Sequence, residues 1–477
     1  MNLTKRKSYR DTIRSSYIIA SSNVIQYILG FLQIKVAAVI LGPSGIGLIA
    51  IYKAIVSLIV SISALGISQS CVREVSRAKE IQSEELVKIS LTIKRIGWIA
   101  GILSWILAIV FGSLISELAF DSQDHVTTIS IIGGVTLLTI KYNFQLALLQ
   151  GMRRIGDLAR VNIVSSLINT ILVIYIYNQF DEKGIVIAMV ATATVSLLVS
   201  YFFSRNITSN KVEVTASETF VFSKILIRLG GAFLVGSLVA SGTDLAIRSF
   251  ITREYGLDVL GHYQAAWVIS GLFSGLVLTA MGMDYYPRLS AIIQDSKKAC
   301  NCVSEQLEIG IFLVLPLLIG TIIFSEEALY VLYSKDFIVS KDLLSLFIIG
   351  MFGRVISWPF SFILLAKAAS KIFIGSEILF GVLNITMVFT FLPMFGLIGV
   401  AYAMILNYAL YFIFIIIISR KLIDFRFSKA LIDILIKSTL SIFISIVIYF
   451  QFSGIFFVVF GIIFNVAVFI WCAKSLL

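Results

Sequence analysis

Apolar positions come in runs of about twenty residues along nearly the whole chain, broken by short segments rich in Gly, Pro or basic side chains. A run of that length crosses the ~30 Å hydrocarbon core of a bilayer as a helix. Fourteen can be drawn, approximately over 15–40, 44–70, 89–112, 128–150, 157–178, 184–204, 228–252, 260–286, 306–324, 343–366, 372–393, 396–419, 432–452 and 454–473. The pattern predicts an all-α integral membrane protein, because open sheets and lipid-exposed loops would leave backbone groups unpaired in hydrocarbon. Polar residues inside the runs keep helical spacing. Lys53, Ser57, Ser61, Ala64 and Ser68 share a face of the second run, and Ser237, Ser241, Asp244 and Arg248 share one of the seventh. Arg354, Ser357 and Ser361 form a stripe in the tenth, and Lys141 and Gln145 share a side of the fourth. In the first run Asn23, Gln26 and Gln33 make one stripe, and Lys35 points away from it.

The basic residues fix an orientation. With the N-terminus in the cytoplasm, twenty-nine of the 38 Lys and Arg fall on the cytoplasmic side, and only Lys183, Arg253, Lys335 and Lys341 on the other. The positive-inside rule then puts both chain ends in the cytoplasm, which for a bacterial protein means the inner membrane. The basic start "MNLTKRKSYRDTIRSSY" has no small-residue cleavage site after its first apolar run, so that run is expected to be an uncleaved span. Five cations remain inside the runs: Lys35, Lys53, Lys141, Arg248 and Arg354.

Composition excludes several function classes. The chain is 58% hydrophobic with a mean hydropathy of +0.98 and 14% charged residues, against about a quarter charged in soluble domains. The net charge of +11 is no nucleic-acid signal here, because it is concentrated in the loops on one side. Cys71, Cys300, Cys302 and Cys472 fall near cytoplasmic ends, where thiols stay reduced, and "CNC" at 300–302 lacks the spacing and companions of a metal site. The sequence carries no GxxxxGK[ST] phosphate loop, so no ATPase, cofactor or metal is expected, and the protein is not expected to be an enzyme.

The chain repeats after roughly 215 residues. "GIGLIAIYKAIVSLIVSISALGISQSCVREVSR" resembles "VLGHYQAAWVISGLFSGLVLTAMGMDYYPRLS", and "LALLQGMRRIGDLARVNIVSSLINTILV" resembles "FILLAKAASKIFIGSEILFGVLNITMVF". "FDEKGIVIA" and "PMFGLIGVA" continue the order. The expected organisation is a six-helix lobe over 1–204, a cytoplasmic linker over 205–227, a second six-helix lobe over 228–420, and two additional spans over 421–477. Such parallel repeats enclose a substrate path and rock against each other.

The five buried cations are costly, at about 2.5–3.5 kcal/mol each for a helix centre. Snorkelling explains Arg248 near a helix end and is possible for Lys35 and Lys53; it is a poor account of Lys141 and Arg354, near mid-span. Asp244 and Arg248 are spaced i,i+4 and can pair. Between Asp11 and Glu74 there is no acidic residue, so Lys35 and Lys53 find no partner in their own helices. A water-filled positive cavity concentrates anions, so these side chains are expected to bind substrate, most simply its phosphate groups.

These segments resemble a known family. "IKVAAVILGPSGIGLIAIYKAI" resembles the opening of Wzx-type O-antigen and polysaccharide flippases, in which basic residues flank an LGPxGxG-like turn. "YYPRLS" and "LLAKAASKIFIGSEI" are similar to the same family, and the resemblance covers roughly residues 10–420. It implies membership of the multidrug/oligosaccharidyl-lipid/polysaccharide exporter superfamily, with two six-helix lobes in a V shape. It implies a substrate of undecaprenyl-diphosphate carrying a short glycan, flipped from the cytoplasmic to the periplasmic leaflet. A polysaccharide polymerase and a chain-length regulator are the implied protein partners, and nucleic acid is not one. Lys35 and Lys53 match the family's basic residues around the turn, and Arg354 lies where a basic residue is common; Lys141 and Arg248 rest on burial alone. The two extra spans depart from the family's usual twelve and resemble lipid II flippases of peptidoglycan synthesis. A cation-coupled multidrug antiporter is the other alternative, for which Asp244 would be the coupling site. A membrane glycosyltransferase would need a sizeable outer loop with catalytic groups, and the loops near 112–127 and 325–342 are short.

Overall fold

The computed structural model describes residues 3–81, 83–205, 215–452 and 454–476, and every regular element among them is helical. Of the linker expected over 205–227, residues 206–214 lie outside the described residues. The first helices are α1 (Leu3–Ala64), α2 (Ile67–Ile81), α3 (Ser83–Val110) and α4 (Gly112–Phe120). They are followed by α5 (Val126–Gly151), α6 (Ile155–Phe180) and α7 (Gly184–Ser204). The second half holds α8 (Ala216–Ile292), α9 (Ser296–Ile323), α10 (Ser325–Leu332), α11 (Lys341–Ala366), α12 (Ser370–Phe395) and α13 (Ile398–Ile423). The last two are α14 (Lys429–Gln451) and α15 (Gly454–Leu476). Among the described residues, eleven helical stretches are long and apolar enough to cross a membrane, and three of them run 44, 50 and 49 residues. At 1.5 Å per residue those three are long enough for two crossings each.

α1 and α8 each join two apolar runs without a loop. The backbone turns within the helix at Gly42 (φ 65°, ψ −168°) and at Gly256 (φ 84°, ψ 173°). Only a residue without Cβ enters that region cheaply. Pro43 follows Gly42 and suits the first position of the continuing helix, where its missing N–H costs nothing. The breaks expected after residue 40 and around 253–259 are therefore kinks. α1 stops at Ala64, short of the expected residue 70, because Leu65 and Gly66 take positive φ of 50° and 67°. The amphipathic α2 follows, burying Cys71, Val75 and Ala78 and exposing Arg73 and Arg77. The starts of α1, α3, α4, α5, α6 and α7 recur as those of α8 to α13 at an interval of 213 to 215 residues.

The chain forms two compact units, Met1–Leu260 and Gly261–Leu477. In the first, a core of Cys71, Ile93, Ile96, Phe144, Leu148 and Val161 packs α2, α3, α5 and α6 together. In the second, α9 is the most enclosed helix, burying Leu307, Ile311, Leu315 and Ile319. α14 and α15 pack on α9, and the Tyr449 hydroxyl donates to Asp342 Oδ1 at 2.6 Å, tying α14 to α11. Phe443, Phe450, Phe460 and Phe469 stand exposed on α14 and α15, as lipid contact requires. All four cysteines are free thiols.

Candidate functional site

A cavity of about 490 Å³ lies inside the first unit, walled by α1, α5, α6 and α7. Helical periodicity selects the side chains that reach it. Gly30, Gln33, Ile34 and Ala37 form one face of α1 before its kink, and Ile46, Ile49, Lys53 and Val56 form one after it. The polar lining includes Gln33, Lys53, Thr139, Tyr142, Asn169 and Ser196. Gln33 Nε2 donates to Thr170 Oγ1 at 2.8 Å, and Asn169 Nδ2 to Ser196 Oγ at 3.1 Å. Asn169 Oδ1 is buried at the cavity wall without a partner among the described residues. An acceptor and hydroxyls of this kind suit a hydroxyl-rich ligand.

Lys53 is the cation of this cavity. Protein surrounds it, yet its side chain counts as exposed, because its accessible surface opens into the cavity. Ser57, one turn on, is exposed and Ser61 half-buried along the same face. Among the described residues no carboxylate lies within ion-pair distance of Lys53, and the charge nearest in influence is the cation Arg248 of α8. Arg248 is itself paired: its Nε donates to Asp244 Oδ2 at 2.8 Å, with side chains 6% and 33% exposed. Lys53 thus brings positive charge into the cavity, which an anion entering it would balance.

The remaining cations named from the sequence stand elsewhere. Lys35 is half-buried on the side of α1 turned from the cavity face, in keeping with its position off the Gln33 stripe. Lys141 lies roughly opposite Thr139 and Tyr142 on α5, in a second cavity of about 260 Å³ that also holds Gln145. Arg354 is half-buried in the second unit, where Tyr408 of α13 lies within electrostatic reach of both Arg354 and Glu377 of α12. The serine stripes mostly satisfy themselves. Ser241, Ser357 and Ser361 donate to Ser237 O, Gly353 O and Trp358 O of their own helices at 2.7 Å, so they do not by themselves mark a polar path.

Three groups escaped the sequence reasoning. Glu377 is a lone acid in an apolar run, the same signal that singled out the lysines. Lys94, assigned to a basic loop, lies inside the apolar stretch of α3 and lines the cavity of Lys141. Asn169 had no signal, since one amide in an apolar helix is ordinary.

Polar contacts within the first unit tie the kinked helices to the connection between α4 and α5. Arg253 Nη2 donates to Asp121 Oδ1 at 2.9 Å, and Tyr52 Oη meets His125 Nδ1 at 2.9 Å. His125 stacks on Phe120 with centroids 3.8 Å apart, and burial pushes its imidazole below the ordinary value of 6.5.

Comparison with known proteins gives this arrangement a family. The model of the family described as "Polysaccharide biosynthesis protein" matches residues 12–293, and that of "Lipid II flippase MurJ" matches residues 160–468. The Lipid III flippase of Escherichia coli (strain K12) is 22% identical over 406 residues, which cover 84% of this chain and 96% of that protein. A putative O-antigen transporter of Shigella flexneri is 25% identical over 328 residues, 67% of this chain and 77% of that protein. A solved structure of the lipid II flippase MurJ in an inward closed conformation shares the fold, with a TM-score of 0.72 at 18% identity over 97% of this chain and 98% of that one. A match over more than half its length places the chain in the polysaccharide biosynthesis protein family, a multi-pass membrane flippase of the multidrug/oligosaccharidyl-lipid/polysaccharide superfamily.

Proposed function

We propose that the protein moves an undecaprenyl-diphosphate-linked oligosaccharide, an O-antigen unit or a related repeat, from the cytoplasmic to the periplasmic leaflet of a bacterial inner membrane. The observation that carries this reading is Lys53, a cation that has no carboxylate within ion-pair distance among the described residues and opens into a polar cavity within electrostatic reach of Arg248. A diphosphate fits that charge, and the amide and hydroxyl groups around it fit sugar hydroxyls. The one-sided distribution of Lys and Arg supports fourteen crossings with both ends in the cytoplasm. The copies over 1–204 and 228–420 are the parts that would alternate in access, and catalysis of a chemical step is not required. An inside-negative potential favours outward movement of the anion, by about 2.3 kcal/mol per charge per 100 mV.

The test is transport in vesicles of a fluorescent polyprenyl-diphosphate oligosaccharide, read by the fraction that becomes accessible to an impermeant quencher. Wild type should equilibrate the label and Lys53→Ala should not. Equal rates would remove Lys53 from the function. A second cargo, lipid II, is supported by the reach of the lipid II flippase family match to residue 468, which takes in α14 and most of α15. Preferential movement of lipid II in the same vesicles would select it.

A further inference from the structure

A larger cavity of the first unit, about 650 Å³, has no part in the function proposed for Lys53. It is walled by α1 just after its kink, by the starts of α5 and α7, and by the single turn Asp181–Lys183 that leads into α7. Helical spacing keeps it apart from the cavity of Lys53. α7 gives Ala188, Thr192 and Ser196 to the Lys53 cavity and turns Ile187, Val190 and Ala191 to this one.

The lining is graded along the helix axis. Glu182 and Lys183 stand exposed at one end, beside the hydroxyls of Tyr52 and Thr128. The Tyr52 hydroxyl bonds His125 Nδ1 at 2.9 Å and Thr128, so it is fixed in place. The other end is apolar, with Ile131, Ile187 and Val190. The grading runs from Lys183 to Ala191, about 12 Å of chain at 1.5 Å per residue. α5 begins at Val126 and α7 at Gly184, so the two charges stand where the helices leave the apolar layer. The pocket thus spans the headgroup level and the first part of the hydrocarbon. Ile131 and Ile187 in its wall are 48% and 47% exposed, and Leu198 and Tyr201 follow on the Ile187 face of α7 at 60% and 54%. That face is an apolar strip running from the pocket toward the membrane centre.

The two charges are of opposite sign and adjacent in sequence. Among the described residues neither forms an ion pair, and the contact of Glu182 is with a hydroxyl, Ser44 Oγ at 3.5 Å. A carboxylate and an ammonium over an apolar floor complement a zwitterionic lipid, whose phosphate and ammonium are likewise joined by a short linker. A primary ammonium donates hydrogen bonds to a carboxylate, and a quaternary one has none to give. We infer that this pocket binds a phosphatidylethanolamine of the leaflet on the side of the α1 kink, with Lys183 on its phosphate, Glu182 on its ammonium and an acyl chain along Ile187 and Leu198. The site does not depend on which glycan is carried, so its failure and that of the proposed cargo are distinguishable.

The test is native mass spectrometry of the full chain released from micelles containing equal phosphatidylethanolamine, phosphatidylcholine and phosphatidylglycerol with the same acyl chains. Wild type should retain one phosphatidylethanolamine over either of the others by roughly fivefold, the scale of one charge-assisted contact at a partly exposed site. Glu182→Gln should lose the preference over phosphatidylcholine, and Lys183→Gln should weaken retention of all three lipids. Both side chains are exposed, so neither change threatens the fold. Ala191→Phe, which fills the apolar floor, should remove the bound lipid with both charges in place. Equal retention of the three lipids by wild type would overturn the proposal, as would an unchanged preference in Glu182→Gln or unchanged retention in Lys183→Gln. Preference for phosphatidylglycerol would mean that the pocket reads net negative charge. Displacement by equimolar undecaprenyl phosphate would give it to a polyprenyl carrier. Either result also overturns the assignment.

Discussion

The two kinked helices, α1 and α8, are built alike and used differently. Eleven residues beyond the kink glycine of α1 stands Lys53, open to a cavity. Eleven beyond that of α8 stands Trp267, stacked on Tyr263 with centroids 6.1 Å apart and edge-on to Phe347 at 5.7 Å. Before the kinks the registers differ by one. Arg248 precedes Gly256 by eight residues and Lys35 precedes Gly42 by seven, a rotation of about 100° on a helix. That rotation separates an arginine beside Lys53 from a lysine turned away from the cavity. The two kinked helices thus share their turns and differ beyond them, with a cation open to a cavity in α1 and an aromatic cluster in α8.

The comparison breaks most readily at Lys53. Lys53→Glu should lower transport on the order of 100-fold or more, because a carboxylate repels the diphosphate and can also capture Arg248, at several kcal/mol for like charges brought together. Lys53→Ala should be milder and Lys53→Arg milder still, and rates in reconstituted vesicles check the order. At the matching position of α8 the loss should be structural. Trp267→Ala should cost about 3 kcal/mol of stability by emptying an aromatic cluster, read as a lower melting temperature in detergent with transport per folded molecule retained.

Arg248 and Asp244 sharpen the electrostatics. Arg248→Gln should reduce transport more than Asp244→Asn, since the first removes a cation from the anion site and the second leaves both. Asp244→Asn should instead destabilise by about 1–3 kcal/mol, through a buried arginine left short of its partner. The reverse order in transport would make Asp244 a proton or cation site and favour antiport. Gly42→Ala and Gly256→Ala should each cost about 1–3 kcal/mol from backbone strain alone, because an added Cβ at either would meet no neighbour within 4 Å. Unequal costs would mean that the two turns do different jobs.

The smallest effect is in pH. The half-buried His125 holds its proton less tightly than an unfolded histidine, so the unfolded state binds more protons as pH falls through about 6.5 and below. Stability should therefore decline on acidification through that window, and His125→Gln should flatten the dependence in melting curves taken from pH 7.5 to 5.

The sequence made the elements legible because a bilayer leaves a chain few options. Runs of twenty apolar residues became helices, the Gly/Pro segment at 42–43 became a turn, and the interval near 215 reappeared in the element starts. Side-chain direction was partly legible: a period of 3.6 separates Lys35 from the Gln33 stripe and Lys141 from Thr139. What a helical face adjoins was not legible. Periodicity could say that Lys141 and Gln145 share a side, but a cavity wall and a lipid-facing pocket present the same spacing. Lys94 was hidden by its basic neighbours, since a cation eight residues into an apolar stretch reads as the end of a loop until the helix start is known. Glu377 and Tyr408 come together from different helices, which no local pattern announces.

The turns at Gly42 and Gly256 also bear on who can touch the protein. A protease needs several extended residues in its cleft, and an antibody needs a protruding loop. A chain that kinks within a continuing helix offers neither. Topology mapping by proteolysis or inserted tags should succeed poorly at residues 42 and 256, and a soluble partner seeking a hold there would find little more than helix.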